Sequence, residues 1–229
     1  MTNLQQASSA TGKYWFDGLD VCVVSDALDA IGRPGAVTGI RPVWEGARTV
    51  GRVITMTVSS APGQRAERHL GALAIDRAEP GDVVVVQQEG AEHSVPMGAS
   101  WGGLLSQAAA LRGIVGIIVD GACRDVDEIR GIRLPVHARS VVPFTARRRY
   151  VETAVGAKIT VGGVAVATGD YVLADGSGVA FVGADQVRTV LALARRMLAR
   201  EQLMLQDLRA GTAVSEVLAH DYEEMLDDD

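Results

Sequence analysis

"GIVGIIVDGACRDVDEIR", residues 113–130, passes from an apolar run to an arginine and several carboxylates with almost no polar transition. The run Ile114 to Val119 is short and rich in β-branched residues, and glycine precedes it. It therefore reads as a buried strand. The Asp120-Gly121 pair reads as a turn that sets Arg124 and Asp125 just past the strand end. Ligands of α/β sheets gather at the carboxyl ends of strands.

Working outward, "PGDVVVVQ" (80–87) begins with a turn and continues as a strand buried on both faces, and "VITMTV" (53–58) is a further strand. Between them "RAERHLGALAIDRA" (65–78) carries Leu70, Leu73 and Ala74 at helical spacing. "LLSQAAALRG" (104–113) predicts a helix that Gly113 closes. Near the start, Ser25-Asp26 before "ALDAI" predicts a short capped helix stopped by Gly32. Strand and helix alternate through the first 130 residues, which predicts an α/β fold with parallel pairing.

From residue 135 the texture becomes β-rich, with Gly-Gly, Gly-Asp and Asp-Gly turns and antiparallel pairing expected. No proline- or serine-rich linker precedes it, so residues 1–229 read as one domain with a core over about 20–215. Residues 184–209 predict a long helix with Val187, Val190, Leu191, Ala194 and Leu198 as its stripe and Gly211 as its stop. "VSEVLAHDYEEMLDDD" reads as a short helix with an acidic, solvated tail.

The composition, 48% hydrophobic and 22% charged, is that of a globular protein, and the net charge of −6 argues against a nucleic-acid binder. The one dense basic run, Arg147-Arg148-Arg149, reads as a solvated loop or subunit contact. Cys22 and Cys123 lack metal-binding spacing and read as buried thiols of a reducing compartment. No apolar run approaches ~18 residues and no signal-peptide pattern opens the chain, so a soluble cytoplasmic protein without membrane partners is expected. His69, His93, His137 and His220 show no ligand spacing and read as packed or surface histidines. Tyr14, Trp15 and Phe16 read as cover for a core edge or a subunit contact. The turn glycines of "VGGVAV" and "DGSGVAF" do not open a helix, which argues against a dinucleotide site.

The charged end of the opening stretch carries the chemistry. An arginine fork at Arg124 suits a carboxylate or phosphate. Asp125 with Glu128 suits a hard divalent cation if both lie on one helix face. Equally, Asp125 is an N-cap and Glu128 its capping-box partner. "GASWGGLL" (98–105) is a second such segment. Gly102 and Gly103 let backbone approach a ligand, the following amides are anion donors, and Trp101 could wall the pocket. Together the two segments could grip a small α-keto acid.

Gly103, twenty residues, Arg124-Asp125, two residues and Glu128 form a G-x20-R-D-x2-E pattern. With "VSDALDAIG", "PGDVVVV", "PVHAR" and "VGGVAVATGDYVLADGSGVAFV" in that order, the chain resembles the RraA-like family over roughly residues 20–215. That family holds regulators of ribonuclease E activity and class II aldolases that cleave 4-hydroxy-4-methyl-2-oxoglutarate and 4-carboxy-4-hydroxy-2-oxoadipate. The resemblance implies an αββα sandwich similar to swivelling phosphohistidine domains. It also implies a homotrimer or homohexamer with the site at a subunit boundary. By the same resemblance Arg124 binds the pyruvyl carboxylate beside Gly102, Gly103 and the amides of Leu104 and Leu105. Asp125 holds Mg²⁺ or Mn²⁺ largely through waters, with Glu128 and a neighbouring subunit's Glu201 as further carboxylates. The family's aldolases carry aspartate where this chain has Gly103, so the resemblance implies a metal-dependent lyase acting on α-keto diacids with decarboxylation ahead of aldol cleavage. The alternative is a non-catalytic regulator that docks on a ribonuclease.

Overall fold

A computed structural model describes residues 15–91 and 97–218. In chain order the elements are α1 (Val21–Ala30), β1 (Ala36–Val37), β2 (Arg41–Pro42), β3 (Thr49–Ser60), α2 (Ala72–Arg77), β4 (Asp82–Gln88), α3 (Gly103–Leu111), β5 (Gly116–Cys123), α4 (Val126–Ile132), β6 (Val136–Val141), β7 (Tyr150–Val155), β8 (Ile159–Val161), β9 (Val164–Val166), β10 (Tyr171–Ala174), β11 (Val179–Val182), α5 (Val187–Ala210) and α6 (Val214–Val217).

β3, β4, β5 and β6 run parallel as neighbours, as strands joined by helical crossovers should. Antiparallel strands extend them: β10, β11 and β1 beyond β3, and β2 beyond β6. The long β3 serves several partners. Its first residues pair with β10 and its last with β7, while the middle lies along β4.

Alternation along β3 to β5 divides the core into layers. Ile54, Met56, Val84, Val86, Ile117 and Val119 pack beneath α2, α3 and α4. The opposite side chains, Val53, Val83, Val85 and Ile118, meet Val172, Val179 and Phe181 of β10 and β11 and the β8–β9 hairpin. Leu173, Ala180 and Val182 point the other way, into α1 and the apolar stripe of α5. Helices, two sheet layers and helices again make the αββα arrangement. The period-2 pattern enforces it, since strands buried on both faces need cover on both.

Several local expectations change. α1 begins at Val21, not after Ser25-Asp26, because Asp20 is the cap: its Oδ1 accepts the Val23 amide at 2.9 Å. The helix expected over 65–78 is confined to Ala72–Arg77. Gly71, at φ 83°, breaks the chain before it and donates its amide to Glu152 Oε2 at 2.8 Å. Asp120-Gly121 is no turn; both belong to β5, which carries a bulge between Val119 and Ala122. Cys123 is buried, but Cys22 is exposed. Phe16 is buried at a core edge against Tyr171, with Trp15 beside them. Tyr14, His93, His220 and the acidic tail lie outside the described residues.

Candidate active site

The bulge in β5 is held by a side chain that no motif announced. Buried Gln88 accepts the Ala122 amide at 2.9 Å and donates to the Gly98 carbonyl at 2.8 Å. It thereby ties the end of β5 to the segment leading into α3. That segment runs alongside the strand: Ser100 N donates to Ala122 O at 2.9 Å and Arg124 N to Trp101 O at 3.1 Å. Trp101, 1% exposed, packs in the core and donates its indole N–H to Ser106 Oγ at 2.9 Å. These bonds bring the two sequence segments singled out above to one place.

Asp125 sits at the N-cap position of α4, yet it does not cap that helix. Its backbone is left-handed, φ 60° and ψ 39°, a region that aspartate tolerates better than most residues. The twist turns the carboxylate onto α3, where Oδ2 accepts the Gly103 amide at 3.0 Å and pairs with Arg124 Nε at 3.2 Å. The capping-box reading is therefore wrong. The physical reason is that the start of α3 competes for the same carboxylate with its own unmet amides and positive dipole end. Oδ1 takes part in neither of these bonds.

The two glycines serve the carboxylates as well as the backbone. A Cβ on Gly102 would stand 2.8 Å from Asp125 Oδ2, and one on Gly103 would collide with the Glu128 carboxylate. Neither glycine has positive φ; Gly102 is extended at φ −166°. Glu128 thus fills the space into which a side chain at 103 would project, and Gln107 Nε2 donates to its Oε1. The amides of Leu104 and Leu105 follow in the first turn of α3, where a helix supplies them no partner of its own.

A pocket of about 650 Å³ opens over this junction. Gly102, Leu104, Leu105, Arg124 and Asp125 line it, as do Trp101, His69 and Tyr150. Glu128 and Gly103 are not among its lining residues. Sequence reasoning missed part of the wall: Arg65, Arg68, Arg147 and Arg148 also face the pocket, so two of the three arginines of the basic run read as a solvated loop or subunit contact belong to the site. Its density of like charge was the available signal. Glu201 is elsewhere in the same chain, on α5 near Asp20 and Asp26. Desolvation first, and then those two carboxylates, raises its pKa. Among the described residues no three His, Cys, Asp or Glu side chains converge to form a metal cage.

The same order of segments and the same fold recur in known proteins. A family model described as RraA-like, Aldolase/RraA, matches residues 21–181. The chain belongs to the RraA-like family. Among its relatives, a Halalkalibacterium halodurans protein named "Putative 4-hydroxy-4-methyl-2-oxoglutarate aldolase" is 28% identical over 210 residues, 90% of this chain and 94% of the relative. Legionella pneumophila DlpA is 29% identical over 168 residues, 73% of this chain but 27% of its own length. Of solved RraA-like folds, an uncharacterized Pseudomonas syringae protein superposes with a TM-score of 0.78 at 26% identity, covering 90% of this chain and 96% of that one. Streptomyces coelicolor RraAS2 gives 0.73 at 23% identity, covering 84% and 95%, a likeness of fold alone. The RraA-like αββα architecture expected from the sequence therefore stands. No helix among the described residues is long and apolar enough to cross a membrane.

Proposed function

We propose that this chain is a carbon–carbon lyase that cleaves small α-keto diacids to release pyruvate, and that oxaloacetate decarboxylation outruns aldol cleavage. The observation that carries the reading is the Arg124–Asp125 pair locked to the start of α3 at the floor of a pocket. Arg124 binds the α-carboxylate with a guanidinium whose Nε is already oriented by Asp125. The Leu104 and Leu105 amides face the charge that builds up on the keto oxygen as the C3–C4 bond breaks. Carbon dioxide leaves with that bond, its electron pair stays on the pyruvate fragment, and protonation at C3 completes pyruvate.

The donor set suits a hard cation held mainly by water. Asp125 is partly exposed and has one oxygen outside its bonds to Gly103 and Arg124, and Mg²⁺ or Mn²⁺ accepts such one- or two-carboxylate sites. Bound there, the cation would withdraw electrons from the keto group. Retro-aldol cleavage needs in addition a base for the substrate hydroxyl. Glu128 is hydrogen-bonded to Gln107 outside the pocket lining, so decarboxylation is favoured. We propose also that the working unit is a trimer or hexamer in which a neighbouring subunit brings Glu201 to this pocket; light scattering that finds only monomer would remove that part.

The test is pyruvate release from oxaloacetate and from 4-hydroxy-4-methyl-2-oxoglutarate, with Mg²⁺, with Mn²⁺ and with chelator. Metal-dependent release, faster from oxaloacetate, is expected. Release from neither substrate would overturn the reading, and full activity in chelator would remove the cation.

A further inference from the structure

The enolate left by C–C cleavage becomes pyruvate only when C3 receives a proton, and few groups around the pocket can deliver one. The guanidiniums of Arg65, Arg68, Arg124, Arg147 and Arg148 line it, but arginines do not give up protons in proteins. Asp125 is bonded to Gly103 and Arg124, and the Trp101 indole N–H is taken by Ser106. The hydroxyls of Ser100 and Thr145 are bonded to backbone, to Ala122 O and Arg147 N. Of the lining groups that exchange protons readily, Glu67, Tyr150 and His69 remain.

His69 differs from the other two in how it is set. Its Nδ1 lies 2.7 Å from the Leu70 carbonyl oxygen. A carbonyl only accepts, so Nδ1 carries the hydrogen of that bond. The tautomer is thereby fixed, and Nε2 is the nitrogen that takes up and gives back a proton. Among the described residues Nε2 has no hydrogen-bond partner. The chain beyond the ring is pinned to the site. Leu70 is buried in the same core cluster as Trp101 and Leu105. Gly71, at φ 83°, donates its amide to Glu152 Oε2 at 2.8 Å, and a Cβ there would stand 3.0 Å from Leu105 and 3.3 Å from Trp101. The segment that bears His69 is thus packed on the first turn of α3, whose Leu104 and Leu105 amides face the keto oxygen in the proposed reaction. By contrast, the Tyr150 ring packs against the core and Gly98, and among the described residues no hydrogen bond orients the Glu67 carboxylate.

We infer that His69 is the proton donor of this site, carrying a proton on Nε2 to C3 of the enolate. The inference rests on the lyase reading above. As the C3–C4 bond breaks, its electron pair is held in the enolate. That pair forms the new C3–H bond with the proton from Nε2, the pair of the broken N–H bond stays on the ring, and water returns a proton to Nε2. Run backward on pyruvate, the same ring removes a methyl proton and regenerates the enolate with no C–C bond broken. A ring that begins the turnover protonated at Nε2 is the acid of the reaction and no base for a substrate hydroxyl, in keeping with decarboxylation ahead of aldol cleavage.

Deuterium uptake into the methyl group of pyruvate in D₂O with Mg²⁺, read by mass spectrometry, isolates this step from cleavage. The wild-type protein should exchange the methyl protons well above the protein-free rate. His69→Asn, whose amide nitrogen can keep the bond to Leu70 O, should slow exchange by about a hundredfold. Its affinity for pyruvate in calorimetry should stay within about threefold, since Arg124 and the α3 amides are untouched. Oxaloacetate consumption should fall by less than about tenfold, because an enolate released to water is protonated there. Exchange within about threefold of the wild type in His69→Asn overturns the inference, and Tyr150→Phe and Glu67→Gln then locate the donor. A loss of affinity as large as the loss of exchange also overturns it, making His69 a binding residue. A wild-type protein that cleaves oxaloacetate without exchanging pyruvate protons removes the donor and leaves the lyase. One that exchanges protons through His69 yet cleaves nothing keeps the donor and removes the lyase, and one that does neither ends both.

Discussion

Two aspartates five positions apart at one strand end, Asp120 and Asp125, make the same kind of bonds to opposite purpose. Each accepts a glycine amide, Gly162 N for Asp120 and Gly103 N for Asp125, and each pairs with an arginine Nε, from Arg139 and Arg124 respectively. Asp120 divides the work between its oxygens, Oδ1 to Arg139 and Oδ2 to Gly162, and its side chain is 8% exposed. Asp125 puts both bonds on Oδ2 and is 37% exposed. The first pair joins the end of β5 to the β8–β9 turn. The second keeps an oxygen and a guanidinium available at a pocket. Residue type and partners do not distinguish structure from site here; solvent access and the use of the second oxygen do.

That contrast can be broken most directly at Asp120. Asp120→Ala leaves Arg139 unpaired in a largely buried place and should cost about 3 kcal/mol or more. Asp125→Asn, which keeps a residue tolerant of the left-handed backbone, should cost under about 1 kcal/mol, since its pair is partly exposed. Urea unfolding of both variants decides it, and equal losses would end the distinction.

Acid sharpens the same measurement. His137, buried on β6 next to β5, has its pKa pushed down to about 4 by burial, against the opposing pull of Asp175. The unfolded chain takes up that proton from about pH 6.5 downward while the folded chain does not. Stability should therefore be full above about pH 6.5 and fall by about 3 kcal/mol as pH drops through 4. His137→Gln should flatten that limb of the urea-midpoint profile. If it does not, the acid loss belongs to the carboxylates.

Arg124→Lys keeps the charge but loses the fork, so kcat/KM on oxaloacetate should fall by about 2–3 kcal/mol of transition-state stabilisation, with stability changed by under about 1 kcal/mol. Near-normal turnover would make the Arg124 pair as structural as the Arg139 pair. The smallest effect is expected at Gly103. Gly103→Asp must displace the exposed Glu128 side chain and should lower stability by about 1 kcal/mol, and adding Glu128→Ala should restore it. The double variant should also gain 4-hydroxy-4-methyl-2-oxoglutarate cleavage relative to decarboxylation; melting curves and the two assays read both effects.

By itself the sequence determined where buried strands and amphipathic helices lie, and the αββα layering came from the family resemblance. Valine-rich runs such as Val83 to Val86 can be satisfied only as strands covered on both faces, and the stripe on 187–198 only as the buried face of a helix. The sequence also placed Arg124 and Asp125 at a strand end, because that relation follows from short-range spacing; that the glycine segment before α3 shares their site followed only from the family resemblance. The tertiary structure decided what each polar group does. Asp125 leaves its own helix because the amides of α3, twenty-two residues earlier, compete for it. Gln88 becomes the clamp of a bulge, and the arginine run splits between loop and pocket. Such assignments depend on which donors and acceptors compete at a few ångströms and on which remain in water, and those distances arise only when segments remote in sequence are packed together.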